Sequence, residues 1–484
     1  MRDTEYQASD GLGLAELLER GEVSPEELMA CAIRLARELA PGLNALCYER
    51  YEESLAVARE WLMHGAFRGI PFLLKDSAIA HRRFPSSLGS QLLADSEHAG
   101  NATVADRFET AGLIPFARTT VPEFGMAPTT EAVRNGGPTR NPWDPTRSAG
   151  GSSGGAAVAV ATGIVPLAHG SDGGGSIRIP ASCCGLYGLK PSRGRVPVGP
   201  FRSEGWGGLS TDGVLSRSVR DTAAALDAIA GYEAGAPYAA PPAPTSYLHA
   251  LTEAPRQLRI VVWREAWCGI DVAPECVAAV EHTARLCEEL GHQVVVCAPP
   301  DISYDAFVLA HANVLASNIV LSVDTKLAQT GQPLGGDDLE PAIRQGYEYG
   351  KSLSAAQYVT AINRLHATGR MLEAYMEGYD IVISPTLTQL PLKLGTLSMR
   401  TRSFLDFRIQ VARYGTFTAP INASGQPAAS LPLFWTEDGL PVGTQVIGKF
   451  GREDVVLRLS AQLEALQPWS DRIAQGGVAK GATR

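Results

Sequence analysis

Lysine is scarce in this chain, with seven residues against thirty-five arginines. Basic residues are also outnumbered, 42 Lys and Arg against 51 Asp and Glu, for a formal charge of −9. No basic stripe stands out, which argues against a nucleic-acid partner. No apolar run reaches the ~18–20 residues that span a bilayer, so no membrane association is expected. The first residues, Met1-Arg2-Asp3-Thr4-Glu5, are polar and hold no apolar segment of a secretory signal. Eight cysteines occur, but no C-x-x-C pair and no zinc spacing. Reduced thiols, a cytoplasmic location and no metal are the expectation. There is no G-x-x-x-x-G-K-[ST] string, so a P-loop is not expected.

Glycine, in contrast, is plentiful, and it is concentrated where chemistry is most readily built. Residues 150–155 read Gly-Gly-Ser-Ser-Gly-Gly, and residues 170–180 read Gly-Ser-Asp-Gly-Gly-Gly-Ser-Ile-Arg-Ile-Pro. Between them lies an Ala/Val run that suggests a short helix. Glycine lets backbone approach a ligand closely and leaves successive N–H groups free to face an anion. A hydroxyl beside such donors is what acyl transfer needs, a nucleophile and an oxyanion hole in one place. Gly151-Ser152-Ser153-Gly154-Gly155 also fits G-x-S-x-G, but a nucleophile elbow needs a strand directly before it. The preceding Asn141-Pro142-Trp143-Asp144-Pro145 cannot supply one.

The two loops together resemble the signature of the amidase signature family of serine hydrolases. A second match is Gly69-Ile70-Pro71-Phe72-Leu73-Leu74-Lys75-Asp76, which fits that family's G-x-P-F-x-x-K-D segment. The resemblance covers about residues 10–470. It implies a catalytic triad of Lys75, Ser152 and Ser176, with Ser176 as nucleophile and Ser152 as the serine that follows a cis peptide bond. It also implies an acyl-enzyme and no organic or metal cofactor. Backbone N–H groups of Gly173, Gly174, Gly175 and Ser176 are the expected oxyanion hole. Asp172 and Arg178 are expected to pair and brace the loop. Met126 and Trp206, each in irregular glycine- or proline-rich sequence, are candidate substrate contacts.

A serine hydroxyl needs a base at neutral pH. Nine histidines are scattered, and only His169 lies near the loops; it is read as structural. Lysine can serve in its place if burial keeps it neutral, and the apolar run before Lys75 offers that burial.

The expected fold class is α/β, with a mixed twisted central sheet flanked by helices on both faces. One domain over 1–484 is expected. It comprises a helical segment at 1–65, a catalytic core at 66–225 and a largely helical, substrate-shaping region with a β-α-β unit at 226–400. Final strands and a closing helix fill 401–470, and a frayed tail occupies 471–484. Ser24-Pro25-Glu26-Glu27 reads as a capping box with proline at the first helical position. Strands are expected at 259–263, 293–297, 379–386, 422–435 and 441–450.

The resemblance implies hydrolysis of a C–N bond in a small-molecule amide, oligoamide or carbamate, by a monomer or homodimer. An amidase subunit of a glutamine-dependent amidotransferase is the alternative, and an idle scaffold a weaker one. The amidotransferase pattern has threonine before Gly-Gly-Ser and glutamine after Ile-Arg. Here those positions are Gly173 and Ile179. Residues 190–197 and 422–428 look more like the bacterial branch that includes the 6-aminohexanoate cyclic dimer hydrolases.

Overall fold

A computed structural model describes residues 1–475, apart from 95, 244, 254 and 255. Much of the expected tail at 471–484 therefore lies outside the described residues. The strands are β1 (Leu46–Cys47), β2 (Ile70–Lys75), β3 (Leu113–Thr119), β4 (Leu167–Asp172), β5 (Tyr187–Lys190) and β6 (Thr211–Ser216). They continue as β7 (Arg259–Val262), β8 (Gln293–Val296), β9 (Ile381–Pro385), β10 (Ala428–Trp435) and β11 (Pro441–Gly448).

Eight strands form one mixed sheet in the order β4-β6-β5-β10-β11-β9-β7-β8. Pairings are antiparallel from β4 to β9, and parallel for β9–β7 and β7–β8. The parallel end is the expected β-α-β unit, whose crossover helix spans Pro274–Glu289. A second sheet, β1-β3-β2, was not foreseen. In it β2 and β3 are parallel, and every residue of both is buried. Such double burial produces continuous apolar runs, which is why Ile70-Pro71-Phe72-Leu73-Leu74 shows no alternation.

The helix Gly154–Ala161 links the two sheets. All eight of its residues are buried, and it touches β2, β3, β4 and β6. Its glycines are dictated by that packing. A Cβ at Gly155 would stand 2.4 Å from the Ala45 carbonyl oxygen. The glycine pair that reads as loop flexibility is thus also a requirement of close helix–strand approach.

The capping box at Ser24 is present, and it opens the helix Pro25–Leu43. One expectation needs correction. The segment from Asn422 does not begin a strand; Ala419–Ser424 is a short helix, and β10 starts only at Ala428. The helix Tyr304–Thr330 is long and apolar enough to cross a membrane by length and composition, with a mean hydropathy of 1.7. A count of uninterrupted apolar residues misses it because polar residues are interspersed. Half of that apolar window is buried, against the helices Pro341–Ser352, Ala355–Tyr375 and Phe404–Tyr414.

Candidate active site

Lys75 is the last residue of β2, and its side chain is buried. Its Nζ lies 2.8 Å from Ser152 Oγ, 2.9 Å from Ser171 Oγ and 3.2 Å from the Ser171 carbonyl. Removal from water pushes its pKa down to about 7, against opposing pulls from Asp212 and Asp172. A sizeable neutral fraction therefore exists near pH 7, when the amine nitrogen can accept a proton. Ser171 was not anticipated, although it stands beside Asp172 in the second glycine-rich loop. Its role follows from the β4 register, which the sequence does not display.

His169 makes no hydrogen bond to the serines through its ring. Its Nδ1 accepts a hydrogen bond from the Lys75 backbone N–H at 3.2 Å, and its Nε2 lies 3.1 Å from Asp212 Oδ1. An accepting Nδ1 requires a neutral ring with the proton on Nε2, which then donates to Asp212. Burial lowers the ring's pKa, in keeping with that state. The histidine fixes the end of β2 across the gap between the sheets.

The Gly151–Ser152 peptide is cis. A Cβ at Gly151 would fall 2.7 Å from the Thr129 carbonyl oxygen, so only glycine fits there. The Ser153 N–H donates to the Ser176 carbonyl at 3.2 Å, tying the first glycine loop to the second. Lys75, Ser152, Ser171 and Ser176 border one pocket.

The second loop is shaped by Asp172. Its carboxylate meets Arg178 through Nε–Oδ2 and Nη2–Oδ1 contacts, each 2.9 Å, with both side chains fully buried. The guanidinium holds that carboxyl well below the usual carboxylate range. Asn422 Nδ2 also donates to Asp172 Oδ1 at 2.9 Å. Arg178 Nη1 donates to Gln445 Oε1 at 2.6 Å and to the Thr418 carbonyl at 3.1 Å.

One expected oxyanion donor is misassigned. The Gly175 N–H donates to Asp172 Oδ1 at 2.7 Å and is not available to substrate. A tight turn around a carboxylate spends its middle amide on that carboxylate. Gly173, Gly174 and Ser176 remain as candidate donors, and among the described residues none of their N–H groups is committed to another protein group. Gly175 has φ +127°, and a Cβ there would stand 2.5 Å from Thr418 Oγ1. Thr418 Oγ1 in turn donates to the Gly174 carbonyl at 2.7 Å. These C-terminal partners were invisible in a reading of local sequence.

Ser176 also borders a second, mostly apolar chamber. Met126 and Trp206 both line it, and Trp206, at φ +57°, stands between the two spaces. Its indole would collide with any Cβ at Gly173, 2.5 Å away. Ile179 lines the same chamber, leaving an apolar surface where a carboxamide reader would be polar. His311 and Arg408 line it as well, and neither was foreseen.

The arrangement offers a buried amine of lowered pKa on a serine hydroxyl, a second serine at the same pocket, and uncommitted amides beside it. These are the parts needed for serine-based acyl transfer without histidine. Comparison with known proteins agrees. A family model described as Amidase matches residues 27–457. The chain is similar to the 6-aminohexanoate-cyclic-dimer hydrolase of Paenarthrobacter ureafaciens, 34% identical over 477 residues covering 96% of each protein. It is also similar to an acylamidase of Rhodococcus erythropolis, 31% identical and covering 95% of each. A solved structure of 6-aminohexanoate cyclic dimer hydrolase superimposes with a TM-score of 0.91 at 33% identity, covering 97% of this chain and 99% of that one.

Proposed function

The chain belongs to the amidase family and is a hydrolase of amide C–N bonds, and from that premise we propose that Ser176 is its nucleophile, activated through Ser152 by neutral Lys75. The observation that carries this reading is the 2.8 Å contact between Lys75 Nζ and Ser152 Oγ at the pocket that Ser176 borders. Lys75 takes a proton from Ser152, which takes one from Ser176. The freed Oγ attacks the amide carbon, and the C–O bond forms as the carbonyl π bond opens. The oxyanion is held by the N–H groups of Gly173, Gly174 and Ser176. Protonated Lys75 returns its proton through Ser152 to the nitrogen, and the C–N bond breaks. Water then enters, gives its proton to the same relay and releases the acid.

The substrate class is small amides, with cyclic or linear oligoamides and anilides first among them, in keeping with the names of the similar proteins. Such an enzyme acts as a monomer or homodimer in the cytoplasm, with no nucleic-acid or membrane partner. A panel assay tests the reading. The purified chain should hydrolyse a primary amide, an anilide or a cyclic oligoamide without glutamine, ATP or tRNA, and Ser176→Ala should not. Strict dependence on a second subunit would favour the amidotransferase alternative.

A further inference from the structure

Arg408, on the helix Phe404–Tyr414, is 6% exposed, and it lines the apolar chamber that Ser176 borders. Its Nη1 donates to the Met126 carbonyl at 2.8 Å. Its Nε is buried with no hydrogen-bond partner. Among the described residues no carboxylate forms an ion pair with it. Other fully buried guanidinium groups here are better served. Arg178 meets Asp172, Asn422, Gln445 and a carbonyl, and Arg118, whose Nε is also unpaired, donates to three carbonyls where Arg408 donates to one. A lone buried cation in apolar surroundings is costly unless a partner arrives. Burial pushes its pKa down only to about 10, so it remains charged at neutral pH.

His311 stands in the same chamber. Its Nε2 is also buried with no hydrogen-bond partner, while the neighbouring Gly173 backbone favours the protonated ring and so works against the effect of burial. Burial beside Arg408 lowers its pKa to about 3, so the ring is neutral and can donate a hydrogen bond without adding a second charge. The chamber is narrow, about 40 Å³, and Arg408, Tyr304, Val308 and Ala412 are shared with an outer groove of about 460 Å³. Asp305 and Arg413 also line that groove, but Asp305 makes no ion pair with Arg408.

We infer that Arg408, assisted by His311, recognises a carboxylate on the acyl arm of the substrate, so that preferred substrates are half-amides of short dicarboxylic acids. This rests on Ser176 being the nucleophile. The acyl side follows from the relay. Lys75 and Ser152 border the other pocket, so the nitrogen that receives their proton leaves on that side. The arm that stays on Ser176 then points into the Arg408 chamber. A planar guanidinium binds a carboxylate through paired N–H donors, and the free Nε is one of them.

The test compares 4-nitroanilides of glutaric and adipic half-acids with those of pentanoic and hexanoic acids. Wild type should favour the acids in kcat/KM by about ten- to a hundredfold, the scale of hydrogen bonds to a charged group. Arg408→Met should erase that ratio, and Arg408→Lys should retain part of it. An equal loss on acid and neutral substrates in Arg408→Met would mean that the arginine only braces Met126, and would overturn the inference. So would a wild-type preference for the neutral anilides, or a charge preference confined to carboxylates on the leaving amine. If Arg408→Met does not fold, inhibition of neutral-anilide turnover in wild type decides instead. Glutarate and adipate should inhibit more strongly than their diamides, and the reverse order would overturn the inference. Turnover of the neutral anilides separately reports whether the chain is a Ser176 amidase at all.

Discussion

Asp172 and Arg178 form a two-contact ion pair in which neither side chain touches solvent. Because the same carboxylate accepts from the Gly175 and Ile177 amides, the pair dictates the path of the loop that carries Ser176. Removing one partner leaves an uncompensated buried charge. Arg178→Met should therefore cost about 3–5 kcal/mol of stability, measured by urea unfolding. Asp172 carries a folded pKa below its unfolded value of about 3.9, so the carboxylate's share of stability is present above that value and lost as the pH falls through the folded one. A loss below about 1 kcal/mol would mean that the loop holds its shape without the pair.

The Ser171 hydroxyl is the second hydroxyl, after that of Ser152, in contact with Lys75 Nζ. Ser171→Ala removes one hydrogen bond, worth about 0.5–1.5 kcal/mol, and should lower kcat by roughly 2- to 10-fold with KM little changed. An effect as large as that of Ser176→Ala, in steady-state assays of a folded variant, would place Ser171 inside the relay instead.

The proposed relay needs no metal. Among the described residues, no group of three His, Cys, Asp or Glu side chains is placed to hold one. Exhaustive chelation followed by assay should leave anilide turnover unchanged. Activity that returns only on adding zinc or manganese would contradict the relay.

Sequence reasoning was strongest where function is local. The segment Gly69–Asp76 reads as a buried strand ending on a lysine, because five apolar residues in succession fit a doubly covered strand. The Asp172–Arg178 pair was legible because only five residues separate two opposite charges around one glycine loop. It was weakest where partners meet across the chain. The motif assigns Gly175's amide to the oxyanion hole because local sequence does not show that Asp172 turns back onto it. Ser171, Thr418, Asn422, Gln445, His311 and Arg408 lie at the site through strand register and through contacts spanning up to 282 positions, as in Arg408 to Met126. The short β1, only two residues long, has no periodicity to detect.

The most direct test of the account is the pH–rate profile of wild type beside Lys75→Arg. The folded pKa of Lys75 is lowered by burial to about 7, so the proton-accepting form grows as pH rises through that value. Wild-type kcat/KM should climb with pH and level off above it. Arginine keeps the positive charge but stays protonated at any usable pH. Lys75→Arg should lose roughly 10²–10⁴-fold in rate, the usual contribution of general acid–base catalysis. Near-normal turnover in Lys75→Arg, with the pH dependence of wild type, would contradict the account and leave Ser176 without a base.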